Sequence, residues 1–342
     1  MAAGFKSATV NASSVPSTQT NFPAYVDLSR VGITTLAEAQ SVRVYADSAK
    51  TTEWAREIVS ATEMHVKVPS LTSTVTIYVD YNGVRADYAV TDTFGRNAVW
   101  SAYIGVWHLD EAVNNTAGGY ADSTGKGNNG TGVSMAEAPV AGKIGGNAAS
   151  FDGISDYINA ADSASLDEPN TNNAVAFTAI LKSDSVAQGT YYGFGKSSDQ
   201  YNMIFDFAAD TYEFWGNSAD ARFNIGTSTD VTNWLFLGAS FNGATDEGIA
   251  NFNGTTTTST EIGTLPAANT GPFVIGGVLS GGGFTTFSQA FDGKVDELRV
   301  RSSAVTANWM TTEYNNLFTE SAFWGTWANV GGGNTGNFFA FF

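Results

Sequence analysis

Several groups of residues in this sequence have the types and spacing of a chemical site. The segment 122–132, DSTGKGNNGTG, contains Gly125-Lys-Gly-Asn-Asn-Gly130, the G-x-G-x-x-G of a dinucleotide-binding turn. Such a turn needs an apolar strand before its first glycine and a helix after its last. Here NNTAGGYADST precedes it and TGVSMAEAPVAG follows, so neither is present. The segment reads instead as a loop in which Asp122, Asn128 and Asn129 cap turns that its glycines permit. Carboxylates at i, i+2, i+4 of a strand would line one face and flank a glycosidic bond. The nearest approaches are Asp206…Asp210 and Asp292…Asp296, each with a non-acid between. Asp296 and Glu297 are adjacent and are expected to face opposite ways, so no hydrolase is expected. His108-Leu-Asp110 has the spacing of a same-face base or metal pair. The competing reading is an early strand, VWHLDE, with Trp107 and Leu109 inward and His108 partly covered. Because His65 and His108 are the only histidines, a histidine-rich metal site requires the two halves of the chain to share it. There is no cysteine and no G-x-S-x-G elbow, which removes thiolate chemistry and that class of serine hydrolase.

These residues must be carried by strands and turns. Of 342 residues, 43% are apolar and 13% aromatic, ample for a large core, while only 14% are charged. A surface finished with Ser, Thr, Asn and Gly suits short strands and tight turns. The net charge of −17 repels phosphate backbones and anionic lipid, so no nucleic-acid partner is expected and divalent cations are favoured. The opening MAAGFKSATVNASSVPS lacks the apolar stretch of a secretory signal, and no run of about 18 apolar residues exists to insert in a membrane as a helix. The expectation is a protein exported by another route, of which assembly into a particle is one.

Strands are predicted at VRVYAD, MHVKVP, VTIYVDY, NMIFDFA, YEFW, WLFLGASF and FVIGGV. Helices are predicted at 35–41 and, behind a Thr cap, at 306–318, where Met310, Tyr314 and Leu317 recur at helical spacing. The fold class is all-β: an N-terminal β-sandwich-like domain over 1–100, an antiparallel jelly roll over 101–320 and a Gly/Phe-rich segment over 321–342. Phe-Asp-Gly occurs at 151–153 and 291–293, and the two copies are expected on neighbouring strands.

The blocks VWHLDE, DSTGKGNNGTG, FDGISDYI, FDGKVDELRV and WMTTEYNN, in that order over roughly 104–318, resemble the laminin-G-like, concanavalin A-like jelly rolls of bacterial and phage proteins. The N-terminal part, with TNFPAYVDLS, SVRVYADS and VKVPSLTSTVTIYVDYNG, resembles an uncharacterised β-rich domain that often precedes this jelly roll. The resemblance implies a lectin or glucanase superfamily member. It further implies a structural Ca2+, for which Glu111, Asp296 and Asp122 are the candidate ligands, with capping of turns by the same acids as the alternative. For carbohydrate binding, Tyr191, Tyr192, Tyr201, Trp215 and Asn217 are the candidate platform and polar residues. Burial of Trp215 with Phe214 between the sheets is an equal alternative. The expected role is a non-enzymatic structural or adhesive protein on a virion, as capsid decoration or tail component. Its expected partners are other virion proteins, further copies of itself and cell-surface glycans. A free extracellular lectin and a glycoside hydrolase are the alternatives. Phe338, Phe339, Phe341 and Phe342 follow a Gly/Asn hinge and are expected to dock into a neighbouring subunit as an anchor, with folding back as the alternative.

Overall fold

The computed structural model describes residues 3–185, 191–197, 200–206, 210–216, 221–260, 263–281 and 283–331. Asn217 and the four C-terminal phenylalanines expected to anchor lie outside them. The described residues are mostly antiparallel strands, as the alternation of apolar and polar residues requires.

The N-terminal half pairs two sheets. One runs Ala328–Asn329, Gly4–Thr9, Thr76–Tyr81, Arg43–Tyr45 and Glu53–Trp54; the other runs Gln19–Asp27, Glu63–Leu71 and Arg56–Ile58. Phe22, Val44, Met64, Val66 and Val79 fill the space between them. Trp309, Phe323 and Trp324 join that core from the far end of the chain.

The jelly roll stacks an eight-stranded sheet on a seven-stranded one. In the first, Asp292–Arg301 lies between Asn147–Asp152 and Ala174–Ser183 and also pairs with Gly105–Trp107. The second contains, in order, Arg222–Thr227, Thr211–Trp215, Asn202–Asp206, Tyr191–Lys196, Phe273–Ile275, Tyr157–Ala160 and Gly130–Val133. Phe177, Phe194, Phe214, Phe223, Phe241 and Trp107 dominate an aromatic interior. The two Phe-Asp-Gly copies sit on paired strands, Phe151 opposite Gly293 and Asp152 opposite Asp292. A Cβ at Gly293 would lie 2.3 Å from the Lys182 carbonyl oxygen, which explains that glycine.

Helix Ala307–Phe318 bridges the halves. Thr306 caps it by accepting from the Trp309 amide at 3.2 Å, Trp309 packs into the N-terminal core, and Met310 packs on the jelly roll against Ala176 and Ile249. Leu36–Gln40 is likewise capped by Thr35. A third helix, Ala164–Asn172, escapes the sequence reading because Pro169 interrupts its pattern, although Ser163 caps it.

The G-x-G-x-x-G segment is a turn-built loop that leads into a strand. Asp122 accepts from the amides of Val106, Thr124 and Asn128, and Gly125 and Gly127 take φ of 77° and 84°.

Candidate functional site

Alternation assigns the faces. On Glu63–Leu71, residues Met64, Val66 and Val68 enter the N-terminal core, so Glu63 and His65 turn toward the jelly roll. Register places Tyr25 and Glu57 on either side of His65. From the jelly roll, Trp107 and Leu109 point into the sandwich and His108 points back. His108 is 7% exposed, more covered than VWHLDE suggested.

Glu297 arrives by a β-bulge. Val295 pairs with Leu181 and Glu297 with Ile180, leaving Asp296 as an extra residue. The bulge shifts the alternation, so that Val295, Leu298 and Val300 all face the sandwich core. The expectation that Asp296 and Glu297 face opposite ways is therefore corrected: both carboxylates lie outside that core, toward the N-terminal half.

A closed polar network results. His108 donates from Nδ1 to Glu297 at 2.8 Å and from Nε2 to Glu57 at 3.0 Å. Ser123 and the Trp100 indole also donate to Glu57. Arg299 donates to Glu297 at 2.7 Å and to Glu313 at 2.9 Å, and its guanidinium lies 4.9 Å from the Trp100 ring centre. It also donates to His65 Nδ1 at 3.3 Å, so the His65 proton sits on Nε2, which donates to Glu63 at 2.9 Å. The two imidazoles stack with centroids 5.0 Å apart but hold different charges. Burial and Arg299 keep His65 neutral, its pKa well below the usual range. Burial opposes a charge on His108 too, but Glu297 and Glu57 outweigh it and raise its pKa. Burial pushes the Glu63 carboxyl well up. An open cleft of about 300 Å³, lined by Glu57, Arg96, Asp110, Glu111 and Ser123, reaches His108.

Glu63, His65, His108 and Glu297 each offer a ligand atom within 4.8 Å of the others, the only such group of three or more among the described residues. This buried set could bind a metal. Two nitrogens and two carboxylates are the donors of a borderline cation rather than the six to eight oxygens of calcium. The calcium ligands expected from the sequence do not converge. Asp122 is occupied by its own loop, Asp296 accepts from the Lys143 and Ile144 amides at 2.6 and 2.8 Å, and Glu111 accepts from Ala121. Nothing in VWHLDE alone pointed to this cluster, but Glu63-x-His65 and Glu297-x-Arg299 are same-face pairs that a strand reading could have flagged.

The expected sugar-binding residues divide between two faces. Tyr191 and Tyr201 are core residues, 2% and 1% exposed, their hydroxyls bonded to Ser183 and the Leu166 carbonyl. Burial rules both out as platforms. Tyr192 points to the opposite face of its strand, but it is only 5% exposed beneath Val278 and Trp215, so the expectation of a sugar platform is corrected there too. Trp215 is half-buried on the outer face of the seven-stranded sheet with Tyr192, Ile204 and Val278, while Phe214 faces inward. Arg222 lies 5.3 Å from the Trp215 ring centre and contacts Glu213 at 2.6 Å and Asp206 at 3.4 Å.

Residues 151–310 match the model of the concanavalin A-like lectin/glucanases superfamily. This segment is a concanavalin A-like domain. Three solved structures are similar to parts of this chain. Domain 4 of AbnA, an extracellular arabinanase from Geobacillus stearothermophilus, solved with arabinotriose, is 18% identical at TM-score 0.46, covering 62% of this chain and 97% of that one. The botulinum neurotoxin serotype C1 binding domain is 10% identical at TM-score 0.43, and the match covers 61% of this chain and about half, 52%, of that one. A pentraxin from Limulus polyphemus is 15% identical at TM-score 0.33, covering 41% and 68%. No curated protein matches the chain. The matched part of the concanavalin A-like domain carries Trp215, Arg222, Glu297 and Arg299, whereas Glu57, Glu63, His65 and His108 lie before it.

Proposed function

We propose that the chain is a non-enzymatic adhesive protein whose concanavalin A-like domain binds glycans through the outer face of its seven-stranded sheet. The observation that carries this reading is the grouping of Trp215 with Arg222, Glu213 and Asp206 on that face. An indole offers a flat apolar surface to the C–H side of a sugar ring, while a guanidinium and carboxylates bond to vicinal hydroxyls in pairs. The Arg222 side chain is 44% exposed, so its guanidinium can be reached by a sugar from solvent. Non-enzymatic binding is supported by the same contacts. Arg222 engages both Asp206 and Glu213, whereas a glycosidase pair faces the substrate across open space.

In this reading the protein sits on the outside of a virus particle, as capsid decoration or tail component, where binding to cell-surface glycans is the task. The support is the resemblance of both halves of the chain to domains paired in bacterial and phage proteins. A free extracellular lectin uses the same face and is the second reading.

A glycan array probed with the full chain tests the binding. Trp215→Ala and Arg222→Ala are each expected to weaken the best ligand at least about tenfold. Binding unchanged in both variants would sink the assignment of the face. Reducing sugar released by the wild type and lost in Asp206→Asn would replace adhesion by hydrolysis.

A further inference from the structure

Between the two halves, in a region the glycan reading does not use, the acid–histidine cluster has the makings of a second site. We propose that Glu63, His65, His108 and Glu297 bind one divalent cation of the zinc class, which staples the N-terminal half to the jelly roll. Two ligands come from each half. His108 and Glu297, His65 and Glu63, and His108 and Glu63 present ligand atoms 2.8, 2.9 and 3.6 Å apart, values that bracket the roughly 3.4 Å edge of a tetrahedron with metal–ligand distances of about 2.0–2.2 Å.

The surrounding groups already hold the ligands as a metal needs them. Glu57 takes the His108 Nε2 proton and so leaves Nδ1 for the cation. Arg299 takes Oε1 of Glu297 and leaves Oε2. Binding needs both imidazoles neutral with their ligand nitrogens free: the His108 Nδ1 proton is displaced and the His65 proton moves from Nε2 to Nδ1. That last shift sets two donors face to face, so the 3.3 Å Arg299–His65 contact is given up while Arg299 keeps Glu297 and Glu313. Two carboxylates and two neutral imidazoles then balance the dication within the buried set. The cleft that reaches His108, with Asp110 and Glu111 on its wall, gives a cation a way in.

Cobalt(II) is the probe, because four-coordinate cobalt absorbs strongly in the visible. The full chain is stripped with a chelator, dialysed and titrated with cobalt, then with zinc to displace it. One cobalt per chain with a tetrahedral spectrum is expected, together with a higher thermal midpoint in zinc. Glu63→Gln and His65→Gln, checked for folding by circular dichroism, should each lose at least about a hundredfold in affinity, and Glu57→Gln about ten- to a hundredfold. No tetrahedral band and no zinc-dependent midpoint in the wild type would show that the cluster binds protons only. Equal cobalt binding in wild type, Glu63→Gln and His65→Gln would overturn the ligand assignment. Should His65→Gln fail to fold, the wild-type titration and the isosteric Glu63→Gln decide the question.

Discussion

The interior of the jelly roll and the seam between its outer face and the N-terminal half are buried to the same degree by opposite chemistry. Inside the sandwich, rings pack on rings: Phe177 on Phe194 at 4.8 Å, Phe214 on Phe223 at 5.0 Å and on Phe241 at 5.4 Å. At the seam, Glu57, Glu63, His65, His108, Glu297, Arg299 and Glu313 are all at or below 7% exposure, and their charges are matched by hydrogen bonds. The first kind of contact tolerates any arrangement of similar volume. The second tolerates only one, because an unpartnered buried charge is costly. Packing therefore holds the sandwich together, and the charges set how the two halves meet.

The largest expected effect comes from breaking the seam at its hub. Arg299→Met keeps the bulk but leaves Glu297 and Glu313 without their cation, a loss of about 3–5 kcal/mol by denaturant unfolding. Phe177→Ala in the sandwich should cost a similar amount, about 3–5 kcal/mol, through the cavity it opens. The two differ in what survives. Arg299→Met should leave the sandwich folded and free the N-terminal half, so that limited proteolysis cuts the connection near residue 100; Phe177→Ala should open the sandwich itself. Identical cleavage patterns in the two variants would erase the contrast.

How much of this was legible follows from the same difference. Strands of period two, the Thr306 cap and the pairing of the two Phe-Asp-Gly copies could be read locally, since each signal spans a few residues. Tyr191 and Tyr192 were read as one platform, although adjacency on a strand sends them to opposite faces. The seam was not legible. His65 and Arg299 are 234 positions apart, and the bulge at Asp296 that turns Glu297 toward the N-terminal half leaves no mark in the pattern of DGKVDELRV. The shared histidine site was the one arrangement the sequence left open, and the fold brings both histidines to it.

A smaller effect is expected from the helix that touches both regions. Thr306→Ala removes the side-chain acceptor of the Trp309 amide and should cost about 1 kcal/mol. Because Trp309 packs with the N-terminal core and Met310 with the jelly roll, the loss should lower the hydrogen-exchange protection of both halves together. Protection lost in only one half would mean that the helix belongs to that half alone.

The smallest expected effect is a gain, and it asks whether the sandwich itself is indifferent to pH. Its first Phe-Asp-Gly turn holds two acids with opposite behaviour. Asp152 accepts from the amides of Ile154, Ser155 and Asp156 at 2.8–3.0 Å; although burial works against the charge, these bonds keep its pKa below the ordinary range. Asp156 is 1% exposed, and burial, with the Asp152 charge beside it, pushes its carboxyl up from 3.8 to about 6. A raised carboxyl binds its proton more tightly folded than unfolded. Its contribution is therefore complete below pH 3.8 and declines as pH rises through about 6. Asp156→Asn removes that decline. The variant should gain under about 1 kcal/mol over the wild type at neutral pH, part of the linkage being offset by the buried amide. The advantage should shrink toward zero near pH 4, read as the difference in thermal midpoint across that range. Midpoint curves that run parallel from acid to neutral would show that folding does not raise the Asp156 carboxyl, and that the turn, like the aromatic core beneath it, does not respond to pH.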